Sequence, residues 1–408
     1  MRLRGLLPII ALIAGLGAAG SAAAGEERNT ISEGWIAQPN AIVSTFYVSP
    51  KGDGLQSGAS FTHAMPMREA IVLMRQAGTR ILRLRLAPGE YDFSEDGGLK
   101  LFPMGGRQGP LIIEGSGPET VFVGGYRPGG KRGAPLFTLG RSRVAFKNLA
   151  ARNFGAFIDL PSGRTIDDIE VSGVSISEMF DGIVLDRGEN VTARDWLIED
   201  VTISGYHRVG IRLAGDDTSG FRIRRATIDG RSAGRKNHCF KGGIQLLAGV
   251  RNVTIEDVTV RDNVGCEQSY QQGDGIEADD KQGAPDNIVL RNVTAEANRD
   301  GNFDLKATNM VLENLVSRNG GVSRFGFRFW NYDYLCRNCV GDGAQRGDVG
   351  VVSAVATFMV PAGASARLSR HCSERTDGKP EGLIVMAEGA APEERGCRNM
   401  EKRGAAVR

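Results

Sequence analysis

Apolar and polar positions along most of this chain alternate in short runs, and two such runs recur. The first passes through Asn or Asp: "VAFKNLAARN" at 144, "IEVSGVSIS" at 169, "LIEDVTIS" at 197, "VTIEDVTVRDN" at 253, "IVLRNVTAEAN" at 288 and "MVLENLVSRNG" at 310. The second follows each: "FGAFID" at 154, "DGIVLD" at 181, "VGIRLA" at 209, "GGIQLL" at 242, "DGIEAD" at 274, "GNFDLK" at 301, "FGFRFW" at 325 and "VGVVSA" at 349. Period-two alternation marks strands. The second runs start 27, 28, 33, 32, 27, 24 and 24 residues apart. Short strands repeating at that interval predict a solenoid, in which each turn buries its apolar face only by stacking on the next. A propeller blade needs four strands and a longer period, and leucine-rich repeats need their own leucine spacing.

Alternation also divides each strand into two faces. In "GNFDLK", Phe303 and Leu305 point to the core, so Asn302, Asp304 and Lys306 point outward. Stacking the second runs predicts an outer column Phe157, Val184, Arg212, Gln245, Glu277, Asp304, Arg328, Val352. Beside it runs Asp159, Asp186, Ala214, Leu247, Asp279, Lys306, Trp330, Ala354. The first column is apolar at its ends and charged at its centre. The two longest periods fall just before that centre, where "GRSAGRKNHCFKG" (230–242) and "GCEQSYQQGDG" (265–275) read as inserted loops. Loops on a rigid scaffold are where this kind of architecture builds sites. A plain alternative is a solvated sheet face, with Asp304 paired to Arg328 and Glu277 to Lys306.

The chain opens MRLRGLLPIIALIAGLGAAGSAAAGEE, with Arg2 and Arg4 before an apolar run from Leu6 to Leu16 and small residues at Ala22–Ala24. This reads as a secretory signal over 1–24, shorter than the run of about 20 residues that spans a bilayer. Export to the periplasm or outside the cell is expected, with no membrane span after processing. Residues 25–44 read as a linker, 45–360 as the repeat unit and 361–408 as a capping tail. Lys and Arg number 50 against 48 Asp and Glu, so no basic excess argues for nucleic acid. Six cysteines, all beyond residue 238, suggest disulfides in an exported chain. Cys239 and Cys266 fall in the two inserted loops and are expected to clip them together. Cys336 and Cys339 make a disulfide or half a zinc site, and Cys372 and Cys397 are expected to staple the tail.

These repeats resemble the pectate-lyase-like superfamily, as do the entry segment "FYVSPKGDGLQSGASF", a capping helix around Met67 to Gln76, and "RILRLRLAPGEYDF". The resemblance implies an all-β chain folded as a right-handed parallel β-helix, a solenoid with an N-terminal capping helix and a C-terminal tail. The superfamily holds polysaccharide lyases, glycoside hydrolases, uronate epimerases and adhesive fibres, so fold alone does not choose an activity. "NRDGNFDLK" followed one coil later by "NGGVSRFGFRFW" is similar to the "DDG.D … NG..GFK" arrangement of a calcium-dependent pectate-lyase family. On that similarity Asp300 and Asp304 correspond to calcium ligands, and Arg328 stands where the family has its lysine base. Lys306 is the alternative base. An ordinary lysine, with a pKa of about 10.4, acts so only if its surroundings lower that value.

The leading expectation is therefore an exported lyase that cleaves a uronate-containing polysaccharide by β-elimination. Lys306, Arg328, Asp304 and Glu277 are its catalytic candidates. Asp274, Glu277, Asp279, Asp300 and Asp304 form an oxygen-only set suited to calcium. Arg212, Gln245, Arg324, Trp330, His207 and Tyr332 are the substrate-binding candidates. The partner is an acidic polysaccharide, and the chain is expected to act as a monomer. Three alternatives stay open: a glycoside hydrolase using Glu277 and Asp304, an epimerase sharing the proton-abstraction step, and a β-helix that only binds glycans.

Overall fold

The structure is a computed structural model. It describes residues 30–361, except 77, 96, 103–108, 129, 186–190, 232–237, 267–271, 321–325, 345–348 and 353, together with 382–387 and 393–395. The proposed signal segment, Arg324, Asp186, Cys372 and Cys397 lie outside the described residues.

The alternating runs form parallel strands that wind into coils. The second runs make one ten-stranded sheet, in which each strand bonds to the equivalent strand of the next coil, from Leu99–Leu101 through Gln272–Asp279, Phe303–Leu305 and Phe327–Trp330 to Val349–Val352. The first runs make a larger sheet that closes the other sides of the coil. Its longest strands, such as Arg251–Arg261 and Asp286–Glu296, each carry two left-handed residues, one near the start and one at a bend in mid-strand. Asn148, Gly173, Asp200, Arg225, Asp257, Asn292, Asn314 and Asn338 stack at this corner, all with positive φ. Asn and Asp are the non-glycine residues that tolerate that conformation best. Their amides also bond along the stack, Asn292 to Asp257 at 2.9 Å and Asn314 to Asn292 at 2.8 Å. Coil geometry thus accounts for the "NVT" triplet at 292.

Apolar residues from every coil meet in one continuous core. Phe303 and Phe327 stack ring on ring at 4.7 Å directly behind the charged column. A buried amide ladder runs up one inner corner: Asn263 donates to Asn298 at 2.8 Å, Asn298 to Asn302 at 2.8 Å, and Asn302 to Ser317 at 2.8 Å. The expected capping helix is Met67–Gln76, which places Met67, Ala70 and Met74 in the core. The segment read as a linker contains a helix of its own, Ile31–Ile36, with a Thr30–Glu33 capping box. Its Trp35 packs on Ile81, Ile112 and Ala145 outside the larger sheet. Buried Glu170 accepts the Ser32 backbone N–H at 2.7 Å. Beyond residue 360, the Gly382–Ala387 strand adds a further parallel rung to Val355–Val360. Among the described residues no helix is long and apolar enough to cross a membrane.

Outside the larger sheet, one column carries charges of alternating sign: Glu199, Arg224, Glu256, Arg291, Glu313 and Arg337 are successive register partners. Arg291 reaches Glu313 at 3.1 Å and Glu256 at 3.4 Å. Each coil thereby prefers its own neighbour, because a slipped register breaks these contacts.

Candidate functional site

On the ten-stranded sheet, Arg212, Gln245, Glu277, Asp304 and Arg328 are consecutive register partners, as the repeat alignment anticipates. The alignment fails at both ends. Asp159, not Phe157, lies opposite Val184, and Gly350, not Val352, lies opposite Arg328. Val352 instead pairs with Trp330, the place expected for Ala354. Each error is a shift of two residues, which keeps the parity of the strand, but Phe157 itself, expected on the outer face, lies in the core with its ring 5.4 Å from Phe137 and 5.6 Å from Phe146.

The central column was expected to face solvent, yet Asp274, Glu277, Asp300, Asp304 and Arg328 are each at most 6% exposed. These side chains shield one another, and the Trp330 ring lies 5.7 Å from the Arg328 guanidinium. Arg328 bonds closely to Asp304 and reaches Asp300 at 3.4 Å and Asp274 at 3.5 Å. The anticipated Asp304–Arg328 pair is therefore present, within a larger cluster. Lys306 pairs with Asp279 at 3.2 Å and Asp304 at 3.7 Å, not with Glu277, and sits 5.4 Å over the Trp330 ring. Glu277 accepts instead from the Gln245 amide at 2.7 Å, and Gln245 accepts from Arg212 at 2.7 Å. A cleft of about 500 Å³ opens beside Arg212, lined also by Thr192, Asp216, Asp217 and Gln282.

Electrostatics separates the members. Burial pushes the Asp274 carboxyl well above the usual range; Arg328 pulls it back, while Asp304, Asp300 and Glu277 push it further up. Burial, and then Asp304, also raise Glu277. For Lys306, burial works downward, but the Asp304 and Asp279 carboxylates outweigh it and hold the amine above its ordinary value. A Lys306 base needs the opposite shift, so this arrangement corrects that expectation. Arg328 behaves alike: burial opposes its charge, and the three aspartates more than restore it. Neither cation is a proton acceptor here.

The metal expectation narrows. One carboxylate oxygen each from Asp274, Glu277 and Asp304 lies within 4.8 Å of the other two. Asp279 is drawn off to Lys306 and, at 3.5 Å, to Lys281, while Asp300 faces Arg328. The donor set fits a hard cation such as calcium, being all oxygen. Asp274 Oδ1 and Asp304 Oδ1 are buried and accept no hydrogen bond. Among the described residues, Asp274, Glu277 and Asp304 face two cations, Arg328 and Lys306, the latter shared with Asp279.

Trp330 joins the site through its ring, and its buried indole N–H has no acceptor. Tyr332 sits at the rim with its hydroxyl 3.3 Å from Asp280, which also accepts from Asn331 at 2.8 Å. Tyr334 is buried and donates to the Leu305 carbonyl at 2.8 Å. His207 stands apart, at the edge where strands enter this sheet, its ring 5.0 Å from Phe180 and 5.8 Å from His238. The expected clip is present as the Cys239–Cys266 disulfide. Cys336 and Cys339 are bonded to each other and buried, which removes the half zinc site.

The sequence reading missed a second charged group on the same face. Arg132 bridges Asp181 at 2.8 Å and Asp159 at 3.3 Å, and Arg208 pairs with Asp181 at 2.7 Å. Two arginines against two aspartates leave this group balanced. Arg132 comes from the glycine-rich "GGYRPGGKRG" stretch, where nothing in the pattern marks its reach.

The family description "Right handed beta helix region" matches residues 155–340. With the parallel ladders of both sheets, this gives the chain the fold of a right-handed parallel β-helix. No curated protein matches the sequence. Similar solved structures include the pectate lyase Pel9A, 14% identical over 82% of this chain and 80% of that one, with a TM-score of 0.45. The A-module of the Azotobacter vinelandii mannuronan C-5 epimerase AlgE4 is 13% identical over 78% and 88%, with a TM-score of 0.49. An alginate lyase from Paenibacillus sp. is 15% identical over 85% and 96%, with a TM-score of 0.41. At these identities the likeness is in fold and says nothing of chemistry.

Proposed function

We propose that the protein is an exported enzyme that cleaves a uronate-containing polysaccharide by β-elimination at the Asp274–Glu277–Asp304–Arg328–Lys306 cluster. The observation that carries this reading is the buried cluster of Asp274, Glu277 and Asp304, which among the described residues outnumber the two cations facing them, Arg328 and Lys306. Uncompensated buried charge is costly, and proteins retain it chiefly where a ligand or a reaction uses it. In β-elimination a base takes the proton from the carbon bearing the carboxylate. That electron pair forms a carbon–carbon double bond, and the glycosidic oxygen on the next carbon leaves with its electrons and is protonated.

Glu277 is assigned as the base. Burial and Asp304 hold its carboxyl above the usual range, which makes its ionised form a stronger proton acceptor near neutral pH. Gln245 fixes its orientation. Lys306, at the rim and held protonated, meets the substrate carboxylate, and water serves the leaving oxygen. Arg328 holds the aspartates in place. Asp274 and Asp304 would hold calcium, whose charge would help to neutralise the substrate carboxylate. The Arg212 cleft and the Trp330–Tyr332 rim supply contacts for neighbouring sugars.

A retaining hydrolase is the second reading. It is favoured by carboxylate oxygens of Glu277 and Asp304 within 4.8 Å of each other. That is close to the separation of about 5–5.5 Å used in retention and short of the 6.5–9.5 Å used in inversion. Incubation with a panel of uronate polysaccharides, with calcium or chelator, separates the two. A rise in ultraviolet absorbance from the new double bond, lost in Glu277→Gln and reduced in Lys306→Ala, is expected. New reducing ends without that absorbance would replace the lyase by the hydrolase. Neither signal across the panel would remove both.

A further inference from the structure

A row of aromatic rings lies on the edge where strands enter the ten-stranded sheet, beside the acidic cluster. Phe180 contacts His207 at 5.0 Å and His238 at 6.2 Å, and His238 contacts Phe240 at 5.9 Å. The Arg208 guanidinium, anchored on Asp181, lies 5.6 Å from the Phe180 ring. Phe240 is 48% exposed. An exposed phenylalanine is ordinary where the backbone is loose, but here it is fixed. Cys239 before it is bonded to Cys266 of the next coil, and the Phe240 N–H donates to His238 Nδ1 at 3.1 Å. That bond leaves the His238 proton on Nε2. The result is a rigid apolar surface with N–H groups at its edge.

Its position relative to the site follows from register. Phe240 pairs with Gln272, two residues before Asp274 on the same strand. Strand rise and coil spacing put the two Cα positions roughly 8 Å apart. We propose that Phe180, His207, His238 and Phe240 form a stacking shelf for a pyranose ring of the polysaccharide, one or more sugars away from the cleavage point, and that the Cys239–Cys266 bond holds it in place. The C–H face of a sugar ring matches an aromatic surface, and its hydroxyls match the histidine N–H groups at the rim. This rests on the polysaccharide reading above but assigns residues that reading does not use.

The test uses the full chain carrying Glu277→Gln, so that bound oligosaccharide is not cut, and measures affinity calorimetrically for uronate oligosaccharides of graded length and for neutral ones. Phe240→Ala is expected to weaken long oligosaccharides by about tenfold, near the upper end of what one aromatic contact contributes. It should leave the shortest bound oligosaccharides unchanged, and Phe240→Trp should restore the loss. Breaking the disulfide with Cys266→Ser should give a smaller loss of the same length dependence. Equal affinities for Phe240→Ala and its parent, while the wild-type protein cleaves uronate polymers, would overturn the shelf and leave the proposed function standing. Loss of neutral-oligosaccharide binding in Phe240→Ala, with no uronate bound by any variant, would keep the shelf and overturn the uronate reading. No binding of any glycan would overturn both.

Discussion

Lys241 is the least expected charge in the interior, and it yields a sharp prediction. The side chain is 1% exposed; its Nζ donates to the Tyr206 carbonyl at 2.8 Å and lies 5.1 Å from the Tyr206 ring. Burial lowers its pKa to about 7, against partial compensation from Asp229 and Glu178. An unfolded lysine has a pKa of about 10.4, so between roughly pH 7 and 10 the unfolded chain binds a proton that the folded one does not. Stability then rises with pH across that window, and the full penalty is present below about 7. At 1.36 kcal/mol per unit the limit is about 5 kcal/mol, of which roughly 2–3 kcal/mol falls between pH 7 and 9. Lys241→Met fills similar space without a charge. It gives up the hydrogen bond to the Tyr206 carbonyl, a loss of about 1 kcal/mol. The expected result is converging curves: the variant melts well above the wild type at pH 6.5, and its lead narrows by roughly 2–3 kcal/mol by pH 9. Thermal melts of both proteins across that range measure this. Because other groups titrate in both proteins alike, only the difference between the curves is diagnostic. Parallel curves would show that Lys241 keeps an ordinary pKa, and the argument from its burial would be wrong.

Three further outcomes are expected. Arg291→Glu sets like charges against Glu256 and Glu313 on the coils to either side; with these side chains partly exposed, about 1–2 kcal/mol of stability should be lost. The loss should shrink at high salt, and melts that ignore salt would deny the charge column any role in holding register. Arg328→Met leaves Asp274, Asp300 and Asp304 without their shared cation, a cost of about 3–5 kcal/mol. Calcium should raise the melting temperature of that variant more than that of the wild type, and an equal or absent rise would refute the cation-deficit account. Opening the Cys239–Cys266 bond with Cys239→Ser and Cys266→Ser together should cost up to about 3–4 kcal/mol by loop entropy, read as a lower midpoint of urea unfolding.

How much of this was legible in the sequence follows from what alternation can encode. A period of two specifies which side chains face inward, so the core, the outward facing of Asp304 and the central register from Arg212 to Arg328 could be read directly. It specifies register only modulo two. That is why Phe157 and Val352 were each placed two residues from the true partners, Asp159 and Gly350. The balanced Arg132–Asp181–Asp159–Arg208 group was hidden for a related reason: it depends on that true register and on a loop arginine reaching back to the sheet. Burial was not legible either. Outward-facing positions were read as solvated, whereas a dense enough set of long side chains on one face shields itself. The sign of the Lys306 shift depends on distances of 3.2 and 3.7 Å to two carboxylates from different coils, which no linear pattern carries.

The two charged groups on the ten-stranded sheet also bear on each other. Both are built from carboxylates and arginine on one outer face, both are largely shielded from solvent, and both span neighbouring coils. In the Asp159–Asp181 group, among the described residues, the two carboxylates meet two arginines, Arg132 and Arg208. Removal of such a group would be felt as lost stability. In the Asp274–Asp304 group, among the described residues, the carboxylates outnumber the cations, and burial pushes Asp274 and Glu277 toward their protonated forms. A proton, a divalent cation or a cationic partner would offset that excess, so its charge state is expected to change with what it binds. A sheet face that merely needed to be polar could repeat the balanced arrangement. The unbalanced one, flanked by an open cleft at Arg212 and by the Trp330 ring, is where bound chemistry is expected to be felt.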